Sequence, residues 1–543
     1  MVPMQRLESS VIAEKTKPST VYGPRFVFVV MAGLLVLSIP FHLRPENFIV
    51  DDGYFYAQIA RNIALSNGST FNGVMPTNGY HPLWMLFCVA CAFITKSSPW
   101  LAQILGLLQD GLVLGSAYLF TQICASSKKE AATAGIAVLA FMTMTLGTWR
   151  LVEADLALFL QTLVLYGIYA YKAHPAWTPT ALAAFIGGGV LGLTLLARLD
   201  LIFFVLVVFG YVCWDCYGKQ RGGFDRRWLT NTLQLAAGTC LPVCPYLFWN
   251  YRLFHHLEPI SGAIKTTVNP LGLLHLPPFV IPFAICCLLN LLLIFKQGAT
   301  PFDVVCVLTS IGALSHLIFT GSFGSMAAWY LTTACLGTAF CATWVLDLVL
   351  KRVRRPILFV TYGGSTLVLA LLTLAGLRLV SNFSYTRLRL HNVSFGSGYV
   401  EPKKALAEKL KSVLPPGTRI YAFDAPGGVA FYSGMSIIPV DGVVGDYAYS
   451  EVLLSEGISE YTARERINYF IGPLLRQGQT YDRLFLRASR GEGGQTFDVQ
   501  APLTGKSAGL LKVKDTDLLF AFRMINPDLE RMIPEVGVWR IRH

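Results

Sequence analysis

Long apolar runs separated by short polar turns dominate the first two thirds of the chain. Eleven runs approach or exceed the roughly 20 residues that a helix needs to cross a bilayer. They are 26–43, 101–123, 131–147, 156–171, 180–197, 201–216, 229–249, 277–295, 302–320, 327–349 and 357–378. The pattern predicts a polytopic α-helical membrane protein with about eleven transmembrane helices.

One further apolar run, 82–95, has about 14 residues and is short for a spanning helix. Basic residues indicate its placement, because cytoplasmic loops collect Lys and Arg near helix ends. If 82–95 stays at the interface, sixteen Lys and Arg of the membrane region lie inside and seven outside. If it spans, the basic cluster at 219–227 moves outside. We therefore expect an interfacial 82–95 and a cytoplasmic amino terminus.

The pattern changes after residue 380, where strand-like segments alternate with helical ones. TRIYAF, FYSGMSIIPV and GVWRIRH have the character of strands, and PKKALAEKLKSVL that of a helix. We expect a membrane domain at 1–379 and a small α/β domain at 380–543. With a cytoplasmic amino terminus, an odd number of spans places the second domain on the extracytoplasmic side of the membrane. All twelve cysteines precede this domain, and the last of them is Cys341. We expect them to be small buried core residues. An exported domain without cysteine fits a bacterial inner membrane protein.

Composition supports the membrane class and narrows the function. Apolar residues make up 54% of the 543 and the mean hydropathy is +0.51, which excludes an ordinary soluble domain. The net charge of +12 follows largely from the basic inner loops, so no nucleic acid partner is expected. The sequence contains no phosphate-binding glycine loop, zinc spacing or dinucleotide fingerprint.

Two adjacent carboxylates, Asp51 and Asp52, open the first extracytoplasmic loop (45–100). One can cap the following helix, YFYAQIARNIALS, by accepting its free amides. That helix is amphipathic and is expected to lie along the membrane surface, with an apolar face formed by Tyr54, Ile59, Ile63 and Leu65. Capping needs only one carboxylate, so the other is a candidate general base.

The same topology gathers other ionisable residues on the outer face. Ionisable groups at a membrane edge are costly, so they are candidates for function. They are His81, Arg150, Glu153, Asp155, Arg198 and Lys265. For each basic residue the alternative is a salt bridge to a neighbouring acid, such as Arg198 with Asp200 or Arg150 with Glu153.

DDGYFYAQIARNIALSNGSTFNG followed by TNGYHPLW resembles the first extracytoplasmic loop of bacterial GT-C glycosyltransferases. The resemblance continues at WRLVEADLALFLQTLVLYGIYA, similar to the second acidic turn of that family. ARLD at 197–200 departs from the family pattern, because many relatives carry Arg-Pro-Asp or Arg-Pro-Glu there. AFDAPGGVAFYSGMSIIPVDGVVGDYAY at 422–449 resembles the outer domain of an arabinofuranosyltransferase-like subgroup.

The resemblance implies an integral membrane enzyme that moves a sugar from a polyprenyl-phosphate donor to an acceptor hydroxyl with inversion at the anomeric carbon. Asp52, or else Asp51, would be the base, and Glu153 or Asp155 would orient the acceptor. Arg198 and Lys265, and then Arg150 and His81, are the donor-phosphate candidates, because charge grows on the phosphate oxygens. Tyr54, Trp329 and Tyr330 are the sugar-binding candidates, although Trp329 and Tyr330 also suit a membrane-interface belt.

Other features and functions remain open at this stage. The donor sugar is an arabinofuranose or a hexose such as mannose, and the acceptor a glycan, a lipid-linked glycan or a protein. A divalent cation is possible as a cofactor but is not required, and His255, His256 and Glu258 are expected to form a polar loop and not a metal site. The alternatives from other classes are a lipid flippase or transporter and a non-catalytic envelope scaffold, in which the acidic pair has no role.

Overall fold

The computed structural model describes residue 33 and residues 51–96, 100–127, 151–174, 180–218, 226–265, 278–296, 298–322, 328–350, 400–423, 426–483, 485–523 and 535–543. Helices form nearly all of the described part before residue 351. They are α1 (Asp51–Ala64), α2 (Pro82–Ile94), α3 (Leu101–Ser126), α4 (Ala154–Ala173), α5 (Ala181–Ala197), α6 (Ile202–Gly218), α7 (Arg226–Phe254), α8 (Ile260–Lys265), α9 (Ile281–Leu291), α10 (Pro301–Gly321) and α11 (Thr332–Leu350).

The apolar runs explain these helices. Five described segments are long and apolar enough to cross a membrane: Leu101–Ser126, Ala154–Ala173, Leu199–Cys216, Pro301–Gly321 and Trp329–Leu348. The predicted runs 26–43, 131–147 and 357–378 lie outside the described residues, and each of the others coincides with a helix. The protein is therefore a helical membrane protein, while the number eleven stays a prediction.

Two helices depart from a simple span. α2 has only 13 residues, fewer than a bilayer crossing needs, as expected for an interfacial segment. α7 is 29 residues long and contains Pro242 and Pro245. It packs closely against α5, because Gly188 and Gly192 of α5 lie against its backbone and a Cβ at either position would overlap α7 atoms. Small residues at such contacts let membrane helices approach each other.

The described part from residue 400 onward is an α/β domain with two sheets. Its helices are α12 (Val400–Val413), α13 (Gly427–Ser433) and α14 (Tyr447–Arg464). Its strands are β1 (Arg419–Ala422), β2 (Ser436–Pro439), β3 (Tyr469–Pro473), β4 (Thr480–Arg483), β5 (Leu486–Gly491), β6 (Gly494–Gln500), β7 (Ser507–Lys514), β8 (Leu518–Arg523) and β9 (Glu535–Arg540). One sheet has the order β2-β1-β3-β9-β8, with β1 parallel to β2 and β3; the other is antiparallel in the order β4-β5-β6-β7.

One predicted strand of this domain is only partly correct. In FYSGMSIIPV the first three residues end α13, and the strand begins at Ser436. Gly434 separates the two, with a positive φ of 65° that glycine adopts without strain. The apolar pattern ran through this helix end without a break, so it did not reveal the boundary.

The α/β domain packs directly on the first loop. α1 is buried on nearly all sides, since α2 covers one face and α13 another. Tyr54 is fully buried and its hydroxyl lies 2.7 Å from that of Tyr432. The expected surface helix is thus enclosed between the membrane helices and the α/β domain, and of its predicted apolar face only the end near Leu65 is exposed.

Candidate active site

A narrow cleft lies where the first loop, one set of ends of the membrane helices and the α/β domain meet. Its volume is about 50 Å³, room for a few water molecules. Its walls are formed by α1 and α8, by the residues just before α2, α4 and α11, and by the turn after β2. The lining residues that bear on the chemistry are Asp52, Tyr56, Tyr80, His81, Glu153, Lys265, Trp329, Tyr330 and Val443.

The two adjacent carboxylates face different neighbours. Asp52 lines the cleft, whereas the Asp51 carboxylate accepts hydrogen bonds from the backbone N–H groups of Gly427 (2.6 Å) and Gly428 (2.9 Å). These are the first residues of α13, where a helix has unpaired donors. Lys403 adds an ion pair at 3.2 Å. Asp51 is therefore a cap, but of a helix in the other domain and not of its own.

Burial shapes the titration of Asp51. Loss of hydration raises its pKa to about 6, and the Lys403 ammonium and the two glycine N–H groups only partly oppose that rise. The carboxylate thus ties the α/β domain to the first loop at an electrostatic cost.

Glu153 is the centre of the polar wall of the cleft. Its Oε2 accepts a hydrogen bond from the Tyr56 hydroxyl at 2.8 Å, and its Oε1 lies 3.0 Å from Nη1 of Arg198 and 3.6 Å from Nε2 of His81. The residue is 3% exposed. A buried carboxylate held by three partners is well oriented, since each partner restricts its rotation.

Arg198 lies behind Glu153 and is fully buried. Its Nε and Nη2 form a two-point contact with Asp200, at 3.0 and 2.5 Å, and Nη1 also donates to the Trp329 carbonyl oxygen at 2.9 Å. The guanidinium stacks over the Tyr330 ring at 4.6 Å. The salt-bridge alternative for Arg198 is what the structure contains, and direct contact with a donor phosphate would require breaking these pairs.

His81 has a defined ring orientation. Its Nδ1 accepts a hydrogen bond from the Leu199 backbone N–H at 3.3 Å, so the neutral ring carries its proton on Nε2, toward Glu153. Burial lowers the pKa of His81 although Glu153 acts to raise it. A neutral, donating Nε2–H therefore faces the cleft.

Lys265 ends α8 at the exposed mouth of the cleft. Loss of hydration is the largest single influence and acts to lower its pKa, but Tyr330, Asp52, Glu153 and Asp441 together raise the pKa overall. The amine is protonated at neutral pH and lies in the field of the cleft carboxylates.

No family model matches the chain, and no curated protein matches it in sequence. Among solved structures, ArnT from Cupriavidus metallidurans in the apo state has a TM-score of 0.50, at 14% identity, over 83% of this chain and 96% of that one. The chain has the GT-C glycosyltransferase fold.

Two further GT-C structures are similar. ArnT from Cupriavidus metallidurans bound to undecaprenyl phosphate has a TM-score of 0.49, at 13% identity, over 83% of this chain and 96% of that one. The Archaeoglobus fulgidus oligosaccharyltransferase, tethered with an acceptor peptide, has a TM-score of 0.48, at 12% identity, over 83% and 69%.

The GT-C fold brings most of the predicted site residues to one place. Asp52, His81, Glu153, Lys265, Trp329 and Tyr330 line the cleft. Tyr54 and Asp51 instead contact the α/β domain, and Asp155 is buried in α4 and not among the lining residues. Arg150 lies outside the described residues.

Sequence reasoning missed several members of the cleft. Tyr56 and Tyr80 lie within the first-loop motif, so their position in that motif was the available signal. Val443 lies in the turn after β2, and no local sequence pattern places it at the cleft. Within the described ranges, no group of three His, Cys, Asp or Glu is arranged to hold a metal ion. His256 instead stacks on Tyr447 of the α/β domain at 3.7 Å.

Proposed function

We propose that the protein transfers a sugar from a polyprenyl-phosphate donor to an acceptor hydroxyl at the outer face of a bacterial inner membrane. The observation that supports the proposal is the cleft shared by Asp52 and Lys265, at the ends of the membrane helices that adjoin the α/β domain, in a chain with the GT-C fold. A lipid-linked donor keeps its tail in the bilayer, so its reactive carbon has to meet the acceptor at such a boundary.

Asp52 is the proposed general base. It lines the cleft and projects from the first turn of α1, while its neighbour Asp51 is held by α13. A base must reach the acceptor hydroxyl as the bond to the anomeric carbon forms, and a carboxylate at the cleft wall suits that task. Attack from the face opposite the leaving phosphate gives inversion.

Lys265 is the proposed partner of the departing phosphate, with His81 as a neutral donor beside it. Charge grows on the phosphate oxygens as the sugar leaves, and a protonated amine stabilises it. Arg198 acts indirectly, because it holds Glu153 in position through their 3.0 Å ion pair. Glu153 then orients the acceptor, and Trp329 and Tyr330 offer faces for sugar stacking.

The sugar ring has to open the cleft, since about 50 Å³ is well below the roughly 300–1,000 Å³ of ligand pockets. We propose arabinofuranose as the donor sugar and a hexose such as mannose as the second candidate. The proposed acceptor is a glycan, a lipid-linked glycan or a protein. The α/β domain would lie on the extracytoplasmic side, where it could contact that acceptor.

The test is a transfer assay with the full chain in lipid nanodiscs. Labelled polyprenyl-phosphate arabinofuranose and polyprenyl-phosphate mannose are supplied separately, and transfer or hydrolysis is measured. Asp52→Asn is expected to lower kcat by about 10²–10⁴, the usual contribution of a positioned base. Lys265→Met is expected to lower it by about 10²–10³, as for loss of an anion-stabilising donor.

Asp482→Asn is the matched control, because Asp482 is exposed on β4 of the α/β domain and is expected to keep full activity. Wild-type rates in Asp52→Asn would remove the base assignment. Movement of the labelled lipid across the bilayer without sugar transfer would favour the flippase instead.

A further inference from the structure

A second cavity lies among α4, α5, α6 and α7, away from the cleft. Its volume is about 400 Å³, within the range of small-molecule pockets. Glu153, at the cleft, immediately precedes α4, and Tyr171, at the cavity, lies 18 residues later in α4. At 1.5 Å per residue the two are about 27 Å apart along the axis, close to the thickness of a hydrocarbon core. The cavity therefore opens near the opposite membrane surface.

The lining of this cavity is graded in polarity along the membrane normal. Toward the middle of the helices it is formed by apolar side chains such as Leu163, Val190 and Leu235. Toward the helix ends it carries polar groups, among them Tyr171, Thr180 and Asn231. An amphiphile with one apolar chain and one polar end matches such a gradient.

Positive charge lies at the polar end. Arg226 and Arg227 begin α7 and are exposed. Arg227 is four residues before Asn231, so the two share a helix face and the arginine lies one turn beyond the cavity wall. Lys172 follows Tyr171 and pairs with Asp215 at 2.7 Å. Basic side chains next to a membrane surface attract anionic lipid headgroups.

Two glycines line unfilled space in the cavity. A Cβ on Gly167 would meet nothing within 4 Å, and one on Gly187 would only just reach Leu235, at 4.0 Å. Side chains that line an unfilled space lose the dispersion contacts that packing would supply. A lipid chain drawn from the bilayer restores those contacts.

We propose that this cavity binds an anionic phospholipid of the leaflet opposite the cleft. One acyl chain lies along Leu163, Val190 and Leu235, and the phosphate lies at the polar mouth near Arg226 and Arg227. The site is separate from the donor cleft, so the proposal does not depend on the glycosyltransferase assignment.

The test uses the full chain in phosphatidylcholine nanodiscs that contain a small fraction of phosphatidylglycerol with a photoactivatable acyl chain. After illumination, labelled peptides are mapped by mass spectrometry. Label is expected in peptides that carry the lining residues of α4, α5, α6 and α7. Unlabelled phosphatidylglycerol is expected to compete, and unlabelled phosphatidylcholine to leave the labelling unchanged.

Gly167→Leu adds a side chain to the cavity wall at a position where a Cβ meets nothing within 4 Å, and it is expected to lose most of this labelling. Gly210→Leu is the control, because Gly210 lies on α6, has nothing within 4 Å of a Cβ and does not line the cavity. Arg227→Gln is expected to weaken the preference for the anionic lipid about fivefold.

The proposal would be overturned by label spread evenly over all membrane helices, by unchanged labelling of Gly167→Leu, or by equal labelling by a phosphatidylcholine probe. The peptide map of the wild-type protein decides the matter even if a variant fails to fold. Displacement of the label by polyprenyl phosphate but not by phosphatidylglycerol would also contradict it.

Discussion

Asp51 and Asp52 are neighbours in sequence but serve different parts of the molecule. The sequence indicated that a pair of carboxylates exceeds what one helix cap needs, and it pointed to function for at least one of them. It did not reveal which residue faces the cleft, because Asp51 takes its position from the N–H groups of Gly427 and Gly428. Backbone donors leave no mark in the sequence, so this division of roles emerges only from the fold.

The raised pKa of Asp51 predicts a pH dependence of stability. A folded-state pKa of about 6, above the usual 3.9 of Asp, means that the folded protein binds more protons between those values. Stability from this group therefore rises as pH falls from about 6 to about 4, by at most about 3 kcal/mol. We expect the unfolding temperature of wild type relative to Asp51→Asn to increase over that window in a detergent-solubilised thermal scan. Parallel profiles of the two proteins would contradict the buried charge.

The length of the apolar runs predicted where the helices lie, but it did not predict which helices pack against each other. Every predicted span within the described residues is a helix, because an apolar run of that length has few other stable structures in a bilayer. The pairing of α5 with α7 was not predicted. It depends on which of three consecutive glycines faces the neighbour, and a run such as Gly187–Gly189 gives no indication of that.

The α5–α7 contact predicts opposite effects for two adjacent glycines. Gly188→Ala would place a methyl group against the Leu235 carbonyl oxygen, whereas Gly187→Ala meets its nearest neighbour at 4.0 Å. We expect Gly188→Ala to destabilise the protein by about 1–3 kcal/mol, as overpacking does. Gly187→Ala is expected to be neutral or slightly stabilising because alanine favours helix. Thermal unfolding in detergent measures both, and equal unfolding temperatures would show that the helices are not in close contact there.

At the scale of the whole molecule, the sequence predicted the α/β domain but not the contacts that hold it against the first loop. The strand and helix patterns predicted the fold class of this domain but not the order of its strands. The cleft includes Val443, and Lys265 is influenced by Asp441, so this domain completes the candidate site. These contacts join residues that are far apart in the chain, so the local pattern of a single sequence does not reveal them.

Gly79 tests this attachment. A Cβ there would overlap the Val443 carbonyl oxygen, so Gly79→Ala has to displace the turn of the α/β domain. We expect faster proteolysis within residues 441–446 and a loss of about 1–3 kcal/mol in stability. Gly111→Ala on α3 is the control, since nothing lies within 4 Å of its Cβ. Identical digestion of the two variants would mean that the turn does not rest on the first loop.

The contact between Asp51 and Gly427 spans 376 residues. At ribosomal rates of about 5–20 residues per second, the first loop leaves the ribosome roughly 20 to 75 s before the glycines that fix it are made. During that interval α1 lacks the surface that buries Tyr54. A chain caught midway through translation therefore has no finished cleft, because Val443 and the glycines of α13 that hold Asp51 have not yet been made.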